Sequence, residues 1–242
     1  MKVLIVGHGV VGTNLHKELF SLNPDIYDKY KIACNTKQDI KYDVAFICVD
    51  TPGENCDTHA VVEAIKENKA DIYVIKSTVL PGTTIKLAGR LHKKIVFSPE
   101  YYGGTQHCNN FNFNFTILGG PRQVCLKVQQ LLQHVYDATH TFHITDATTA
   151  ELTKYMENSW LATKVSFCNE FAKLAKKCGI DYEELRELFI LDPRVNPSHT
   201  FVYNDKPYWD SHCLNKDVPA IANHLDSEFL KFIISYNNKN KR

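Results

Sequence analysis

The stretch Val3–Gly12, VLIVGHGVVG, decides the fold of this 242-residue chain. Four apolar residues stop at a glycine and a second apolar run begins three residues later, which predicts a buried strand, a tight turn and a helix. Gly7, Gly9 and Gly12 have the spacing of a dinucleotide-binding fingerprint, where they allow the turn, the approach of a pyrophosphate and close helix packing. The helix N-terminus would attract the phosphates. The alternative is a glycine-rich turn that binds no ligand.

Asp28 follows a short predicted strand, Ile26–Tyr27, and lies 21 residues after Gly7. An acid at this point can accept hydrogen bonds from an adenosine ribose and repel a 2′-phosphate, so it favours NAD over NADP. The competing interpretation is a surface aspartate beside Asp25 and Lys29.

From Lys2 to about Gly120, β-branched apolar runs alternate with helical stretches. This alternation predicts an α/β fold of Rossmann type, a doubly wound and mostly parallel sheet with helices on both faces. The predicted strands are Lys2–Val6, Ile26–Tyr27, Val44–Val49, Ile72–Lys76, Ile95–Phe97 and Phe115–Leu118. The predicted helices are Val10–Leu22, Thr58–Asn68, Thr83–His92 and Arg122–Val135. Little room remains for a helix between Asp28 and Val44.

Polar or small residues follow four of these strands, at Gly7–Gly9, Asp50–Pro52, Ser77–Thr78 and Ser98–Glu100. Ligands of open α/β sheets bind outside the carboxyl ends of the strands. We therefore expect the four clusters to converge on one site.

After Asp146 the pattern changes to one long helix of about 30 residues, with a capping-box match at Thr148–Glu151 and an ending at Gly179. Such a helix favours a smaller, all-helical second domain and a homodimer interface. A short helix Tyr182–Leu191, an irregular stretch 192–215, a last helix from Asp217 to about Ser235 and a disordered tail complete the prediction. The predicted domains are residues 1–145 and 146–236, with 237–242 as the tail.

Charge and cysteine usage exclude several classes of protein. Lys and Arg number 28 against 27 Asp and Glu, a net charge of +1, which gives no case for a nucleic-acid or membrane-surface partner. The apolar start is too short for a signal peptide or a membrane span. The eight cysteines form no CxxC pair and no zinc spacing, so we expect reduced thiols, no bound metal and a cytoplasmic protein. We interpret His107, His134, His140 and His143 as ordinary histidines, and Phe111, Phe113 and Phe115 as a strand and its approach.

Lys154 and Asn158 are one helical turn apart, so their side chains leave the same face of the long helix. On a solvated helix they would be an ordinary polar pair. The apolar neighbours Trp160, Leu161 and Val165 predict that much of this helix is buried, where a lysine and an asparagine need a partner.

Residues 151–158, ELTKYMEN, and 161–170, LATKVSFCNE, resemble the central-helix signature of the UDP-glucose and GDP-mannose dehydrogenase family. Further segments match the family in the same order along the chain: Lys76–Val79, Phe97–Tyr101, Asp192–Arg194 and Cys213–Asp217.

The resemblance implies that a primary alcohol on a nucleotide-linked sugar is oxidised twice, to a carboxylate, while two NAD are reduced. Cys213 would capture the intermediate aldehyde as a thiohemiacetal, which loses a second hydride to give a thioester. Lys154 and Asn158 would hold the oxygen that gains negative charge. Asp217 would position or deprotonate a water in the alcohol step.

The resemblance also assigns the remaining site residues. Glu100 and Thr78 would orient or activate the water that hydrolyses the thioester. Lys216 could lower the pKa of Cys213, which is otherwise interpreted as a small buried hydrophobe like the other cysteines. The implied cofactor residues are Gly7, Gly9, Val10, Val11, Gly12, Asp28, Val49, Thr51, Thr78, Glu100 and Lys216. The implied substrate residues are Glu100, Tyr101, Lys154, Asn158, Cys213 and Arg194. Arg194 would reach the substrate across a dimer interface, and the alternative is that it caps the preceding helix.

The chain departs from the family pattern at three places. Lys206–His212, with the bulky Tyr208 and Trp209, replaces a glycine-rich loop that lies against the sugar, so these rings are expected to fill that space or to stack on a different ligand. Gly103–Thr105 stands where the family has a further acidic residue. We also expect the family's last α/β domain, which grips the nucleotide, to be missing, and this would weaken substrate binding.

Two alternatives remain open. A 3-hydroxyacid-type dehydrogenase shares the Lys-x-x-x-Asn helix but stops after one hydride transfer and needs no thiol. A non-catalytic NAD-binding partner of a full-length dehydrogenase would explain the altered loop, although retention of all six polar site residues argues against it.

Overall fold

The computed structural model describes residues 1–102 and 113–241, and it divides into two compact units. The N-terminal unit comprises Met1–Pro52 and Cys56–Lys154, and the helical unit comprises Gly53–Asn55 and the chain from Tyr155 onward. The division falls inside one long helix, rather than at residue 145 where the sequence pattern changes. Four features of the sequence lie outside the described residues: His107, Phe111, Gly103–Thr105 and Cys108, one of the eight cysteines.

The N-terminal unit contains a seven-stranded sheet in the order β2-β1-β3-β4-β5-β6-β7, parallel except where β5 pairs with β6. The strands are β1 Val3–Val6, β2 Asp25–Tyr27, β3 Tyr42–Ile47, β4 Ala70–Ile75, β5 Lys94–Phe97, β6 Phe115–Gly119 and β7 Thr141–Thr145. The order reverses at β1, which lies between β2 and β3, so the crevice expected to bind ligands opens at the ends of β1 and β3. The predicted α/β fold is confirmed.

Among the described residues, four α-helices lie wholly within this unit: α1 Val10–Glu18, α2 His59–Glu67, α3 Thr83–Leu91 and α4 Arg122–Leu132. Alternate residues of the parallel strands share one face of the sheet and pack against apolar residues of α1 and α4, including Val3, Ile5, Val44, Phe46, Val74, Leu15, Leu19, Val128 and Leu131. Only a 3₁₀ turn, Ile32–Cys34, follows β2 before β3, as the short segment predicted.

The sequence pattern did not predict β7, Thr141–Thr145. This strand has only two apolar residues, Phe142 and Ile144, and its burial is partial. It forms because every residue from Thr141 to Thr145 pairs with β6, which is a tertiary pairing that a five-residue window does not reveal.

The second half of the chain contains α5 Ala147–Cys178, α6 Tyr182–Phe189, α7 His212–His224 and α8 Glu228–Asn240. The single last helix predicted from Asp217 to Ser235 is wrong, because Asp226 adopts a left-handed conformation and Ser227 caps a new helix. The disordered tail is also wrong, since α8 continues through Asn240 and Asn237 is buried.

The predicted capping box of α5 is wrong in its partners. Asp146, not Thr148, caps the helix by accepting a hydrogen bond from the Thr149 amide at 2.9 Å. The Glu151 carboxylate is fully buried and accepts from the Gly82 and Thr84 amides, at 2.6 and 2.8 Å, at the start of α3. Burial raises the pKa of Glu151, although these hydrogen bonds oppose the rise. This carboxylate therefore caps α3 from another helix.

Replacing Glu151 with Gln should lower the free energy of unfolding by about 1–3 kcal/mol, because an amide donor would then face one of the α3 N–H groups. Urea denaturation of both proteins at neutral pH measures the difference. The exposed Glu67→Gln serves as the control and should leave the midpoint unchanged. Equal stability of E151Q and the unaltered protein would refute the capping role.

Candidate cofactor and catalytic site

Two of the three fingerprint glycines are required by packing, and the third faces open space. A Cβ on Gly7, whose φ is +93°, would lie 2.5 Å from the Cys48 carbonyl oxygen, and a Cβ on Gly12 would lie 1.8 Å from the Gly7 oxygen. A Cβ on Gly9 meets nothing within 4 Å. Gly9 also begins α1 as its N-cap residue, without a side-chain cap. The backbone at Gly9 is thus accessible to an anion at a helix N-terminus, as a pyrophosphate requires.

The Asp28 carboxylate already has three backbone partners. It accepts from the His8 amide at 2.6 Å and from the Tyr30 and Lys31 amides at 2.8 Å each. Partial burial works to raise the pKa of Asp28, but the hydrogen bonds from His8, Lys31 and Tyr30 outweigh it and the pKa is lowered. The acid therefore ties the turn after β2 to the fingerprint loop, and a ribose would share oxygens that this network holds in place.

The ends of β3 and β4 are joined by side-chain hydrogen bonds. The Thr51 hydroxyl donates to the Thr78 carbonyl at 2.8 Å, and the Ser77 hydroxyl donates to the Val49 carbonyl at 2.6 Å. Val10, at the start of α1, is more than half exposed. These bonds bring the polar ends of the two strands together, and the convergence of all four clusters on one site stays a prediction.

Glu100 is held by a lysine that the sequence analysis did not assign to the site. Lys76 Nζ lies 3.2 Å from the Glu100 carboxylate and 3.3 Å from both the Ser98 hydroxyl and the Pro99 carbonyl. The side chains of this ion pair are about nine-tenths buried, with 10% and 12% exposed. A charged residue directly after a buried strand was the signal in the sequence, because such a charge needs a partner.

Lys154 is buried near the end of the N-terminal unit. Its Nζ lies 4.8 Å from the centre of the Tyr101 ring, within range of a cation–π interaction. Tyr101 in turn contacts Phe113 and Phe115. This buried position against a ring face places the lysine side chain in a region of low polarity, where electrostatic interactions with a developing oxyanion are strong.

The helical unit brings three predicted residues together. Asn158 Nδ2 donates to the Asp217 carboxylate at 2.7 Å, and both side chains are buried. Lys216 pairs with the other Asp217 oxygen at 2.6 Å. Cys213 is exposed in the first turn of α7, and it precedes Asp217 by one turn on the same face. An exposed thiol thus belongs to the helical turn that precedes the buried Asp217.

Other predicted residues have ordinary partners. The Arg194 side chain is 88% exposed. The hydrogen bonds described for its guanidinium group go to Asp192, and not to the end of α6. His140 stacks on Tyr136 with ring centres 4.0 Å apart. Within residues 1–102 and 113–241, no three metal-binding side chains form a cluster. In the same ranges, no helix combines the length and apolar character needed to cross a bilayer.

Trp209 lies in the helical core, and this supports the first of the two expectations for the altered loop. The ring is 5% exposed and packs in a cluster with Ala162, Leu214, Val218 and Ile233.

Comparison with known proteins identifies two family matches. Residues 25–140 match the NAD binding domain of the UDP-glucose/GDP-mannose dehydrogenase family, and residues 148–241 match its central domain. The glycine fingerprint, Gly7–Gly12, lies before residue 25, where the first of these matches begins.

Among curated relatives, the UDP-glucose 6-dehydrogenase of Rickettsia bellii is 29% identical over 93% of this chain and 58% of its own length. The UDP-N-acetyl-D-mannosamine dehydrogenase of Methanocaldococcus jannaschii is 29% identical over 83% of this chain and 49% of its own length. The chain spans about half the length of the curated relatives it matches.

Solved structures share the fold. A UDP-D-ManNAc dehydrogenase from Pyrococcus horikoshii has a TM-score of 0.84 at 23% identity, covering 99% of this chain and 68% of that one. A 3-hydroxyisobutyrate dehydrogenase from Mycobacterium tuberculosis has a TM-score of 0.73 at 14% identity, covering 98% of this chain and 92% of that one.

Replacing Gly9 with Ala should weaken NAD binding about tenfold or more without changing the melting temperature, because the added methyl occupies open space where the pyrophosphate would lie. Titration calorimetry with NAD and a thermal melt measure the two effects. Gly89→Ala, in α3, is the matched control, since its Cβ also meets nothing within 4 Å. The interpretation fails if G9A and G89A bind NAD equally well.

Proposed function

The chain belongs to the UDP-glucose/GDP-mannose dehydrogenase family, and on that premise we propose that it oxidises the primary alcohol of a nucleotide sugar to a uronic acid with NAD, through Cys213. The observation that carries the proposal is the arrangement in the helical unit: an exposed thiol in the first turn of α7, one turn from a buried carboxylate bonded to Asn158. A buried carboxylate is costly unless it is hydrogen-bonded, and the bond from Asn158 both satisfies Asp217 and fixes its orientation beside the turn that carries the thiol.

In the first step the alcohol loses a proton and a hydride and becomes an aldehyde. Asp217 accepts the proton through a water, and its contact with Lys216 holds the carboxylate in place. Lys154 and Asn158 hold the oxygen as its negative charge develops, one as a point charge and the other as an amide donor.

In the second step the Cys213 thiolate adds to the aldehyde carbon and forms a thiohemiacetal. Loss of a hydride from that carbon gives a thioester, and water then cleaves the C–S bond to release the carboxylate and the thiol. Glu100, with Thr78, orients that water. The Lys76 contact holds the Glu100 carboxylate in a fixed orientation, as the positioning of a water requires.

The residues of the N-terminal unit fit the cofactor, because the backbone at Gly9 is open while Gly7 and Gly12 pack closely behind it. When bound, NAD accepts the hydride in each oxidation. The turn at Asp28 and the polar ends of β3 and β4, including Val49 and Thr51, would hold its two halves.

Cys213→Ser should stop the reaction after the first hydride, because a serine hydroxyl is a much weaker nucleophile at neutral pH. We expect one NADH per sugar instead of two, with second-step turnover lowered at least about a hundredfold. Absorbance of NADH and mass spectrometry of the products from UDP- and GDP-sugars measure both. Cys178→Ser, at another exposed cysteine, should keep two equivalents.

The same assay separates the alternatives. Unchanged turnover of C213S with one NADH per substrate would indicate single hydride transfer, as in 3-hydroxyacid dehydrogenases. NAD binding without NADH from any nucleotide sugar would indicate a non-catalytic module.

We also propose a homodimer through α5. Exposed apolar residues recur on one face of this helix at the spacing of its turns: Met156, Trp160, Phe167, Phe171 and Leu174. Phe167 and Phe171 contact each other with ring centres 4.6 Å apart. An exposed apolar stripe of this length is typical of an interaction surface.

Trp160→Glu should convert a dimer to a monomer, raising the dissociation constant about a hundredfold or more, because a charge would be buried without a partner. Analytical ultracentrifugation over a concentration series measures the change. Lys176→Gln, on the opposite face of α5, also makes the net charge one unit more negative and should leave the association state unchanged. A monomeric unaltered protein would refute the dimer.

A further inference from the structure

The position of Cys213 depends on the six residues before α7, Lys206–Ser211, which we call the nucleophile loop. Its last residue, Ser211, caps α7 by accepting a hydrogen bond from the Leu214 amide at 3.2 Å. Cys213 lies in the turn that this cap begins. Any displacement of the nucleophile loop therefore moves the thiol or frays the turn that carries it.

One side chain of α8 holds the backbone of this loop at Trp209. The Trp209 amide donates to Asn237 Oδ1 at 2.9 Å, and Asn237 Nδ2 donates back to the Trp209 carbonyl at 3.0 Å. Asn237 is 1% exposed. Two antiparallel hydrogen bonds to one residue fix both its distance and its rotation, much as a paired strand would.

The Trp209 side chain adds a third attachment, to α5. Its indole Nε1 donates to the Ser166 hydroxyl at 3.1 Å, and the ring lies in the apolar cluster of the helical unit. The polar atoms of this buried residue are thereby satisfied, so the anchor costs little desolvation.

The next residue, Asp210, is held at the surface. It accepts from Asn215 Nδ2 at 2.8 Å and pairs with Lys206 and Lys241, each at 3.2 Å. The hydrogen bonds from Asn215, Lys206 and Lys241 lower the pKa of Asp210 to about 2. Lys241 directly follows α8, so the end of this helix contacts two successive residues of the nucleophile loop.

Asparagine is a weak helix former, and burial of its side-chain amide is costly unless both the oxygen and the nitrogen are hydrogen-bonded. An apolar residue would suit the buried position 237 better if packing alone mattered. The amide instead matches the two backbone groups of Trp209.

We propose that Asn237 is a positioning residue for the nucleophile: it clamps Trp209 so that the nucleophile loop presents Cys213, exposed, in an intact first turn of α7. This inference rests on the proposed role of Cys213. It assigns to the end of α8 a function in the reaction, although Asn237 itself touches no reacting atom.

Site-resolved alkylation tests the clamp without substrate. The full chain is treated with iodoacetamide from about pH 6 to 10, and mass spectrometry measures the modification of Cys213 relative to Cys178, an exposed cysteine at the end of α5. In Asn237→Ala the ratio at neutral pH should fall about threefold and the Cys213 midpoint should rise by about half a pH unit, because a frayed turn stabilises the thiolate less.

Asn238→Ala is the matched control, since this neighbour on α8 is exposed, and it should leave the ratio and the midpoint unchanged. An unchanged ratio in N237A, or an equal change in N238A, overturns the clamp. If the alanine variant does not fold, Asn237→Ser, which keeps a hydroxyl for one bond, should show the same change at smaller size.

Hydrogen exchange of the unaltered protein gives a result independent of any variant. The Trp209 amide should exchange as slowly as the amides of α7, and rapid exchange would overturn the clamp. The two proposals can be overturned separately. Full two-step turnover of C213S would overturn the nucleophile role of Cys213 but would not affect the alkylation test of the clamp. An unchanged alkylation ratio in N237A would overturn the clamp but would not affect the proposed turnover.

Discussion

The close approach of α1 to the ends of β1 and β3 is the constraint on which the N-terminal unit depends. A side chain at residue 12 would overlap the Gly7 carbonyl, and one at residue 7 would overlap the Cys48 carbonyl. Because both positions are glycine, α1 begins beside the point where the strand order reverses. Its unpaired N–H groups then face the same edge of the sheet as the polar ends of β3 and β4, which is the arrangement that an anionic cofactor requires.

Three acidic side chains of the N-terminal unit have partners within the protein. Asp28 bonds three backbone amides, Glu100 pairs with Lys76, and Glu151 caps α3. A buried or half-buried carboxylate without such partners would carry a large desolvation penalty. Each acid therefore needs these partners in the protein as well as any contact with a ligand. The same contacts orient these acids, and preorganised groups stabilise developing charge better than mobile ones.

The helical unit uses polar pairs in the same way. Asn158 joins α5 to Asp217 in α7, and Asn237 joins α8 to the loop before α7. Both asparagines are buried, and both bond across elements rather than within their own helix. The thiol of Cys213 lies on the segment that these two pairs hold, so the large Trp209 ring in the loop serves as an anchor where the family pattern has glycines.

The sequence by itself determined the local elements: the strand–turn–helix at the start, the five parallel strands from their apolar runs, the long helix, and the candidates Lys154, Asn158, Asp217 and Cys213. The elements follow from short-range periodicity and turn residues, whereas the four candidates come from the resemblance of short motifs, in order, to the family. The limits of β7 and α7, the break at Asp226 and the buried Asn237 depended on partners distant in sequence. Only the tertiary structure could decide that Lys76 pairs with Glu100 and that Glu151 caps α3, because the sequence indicates at most that a charge near a buried strand needs a partner, and not which distant residue supplies it.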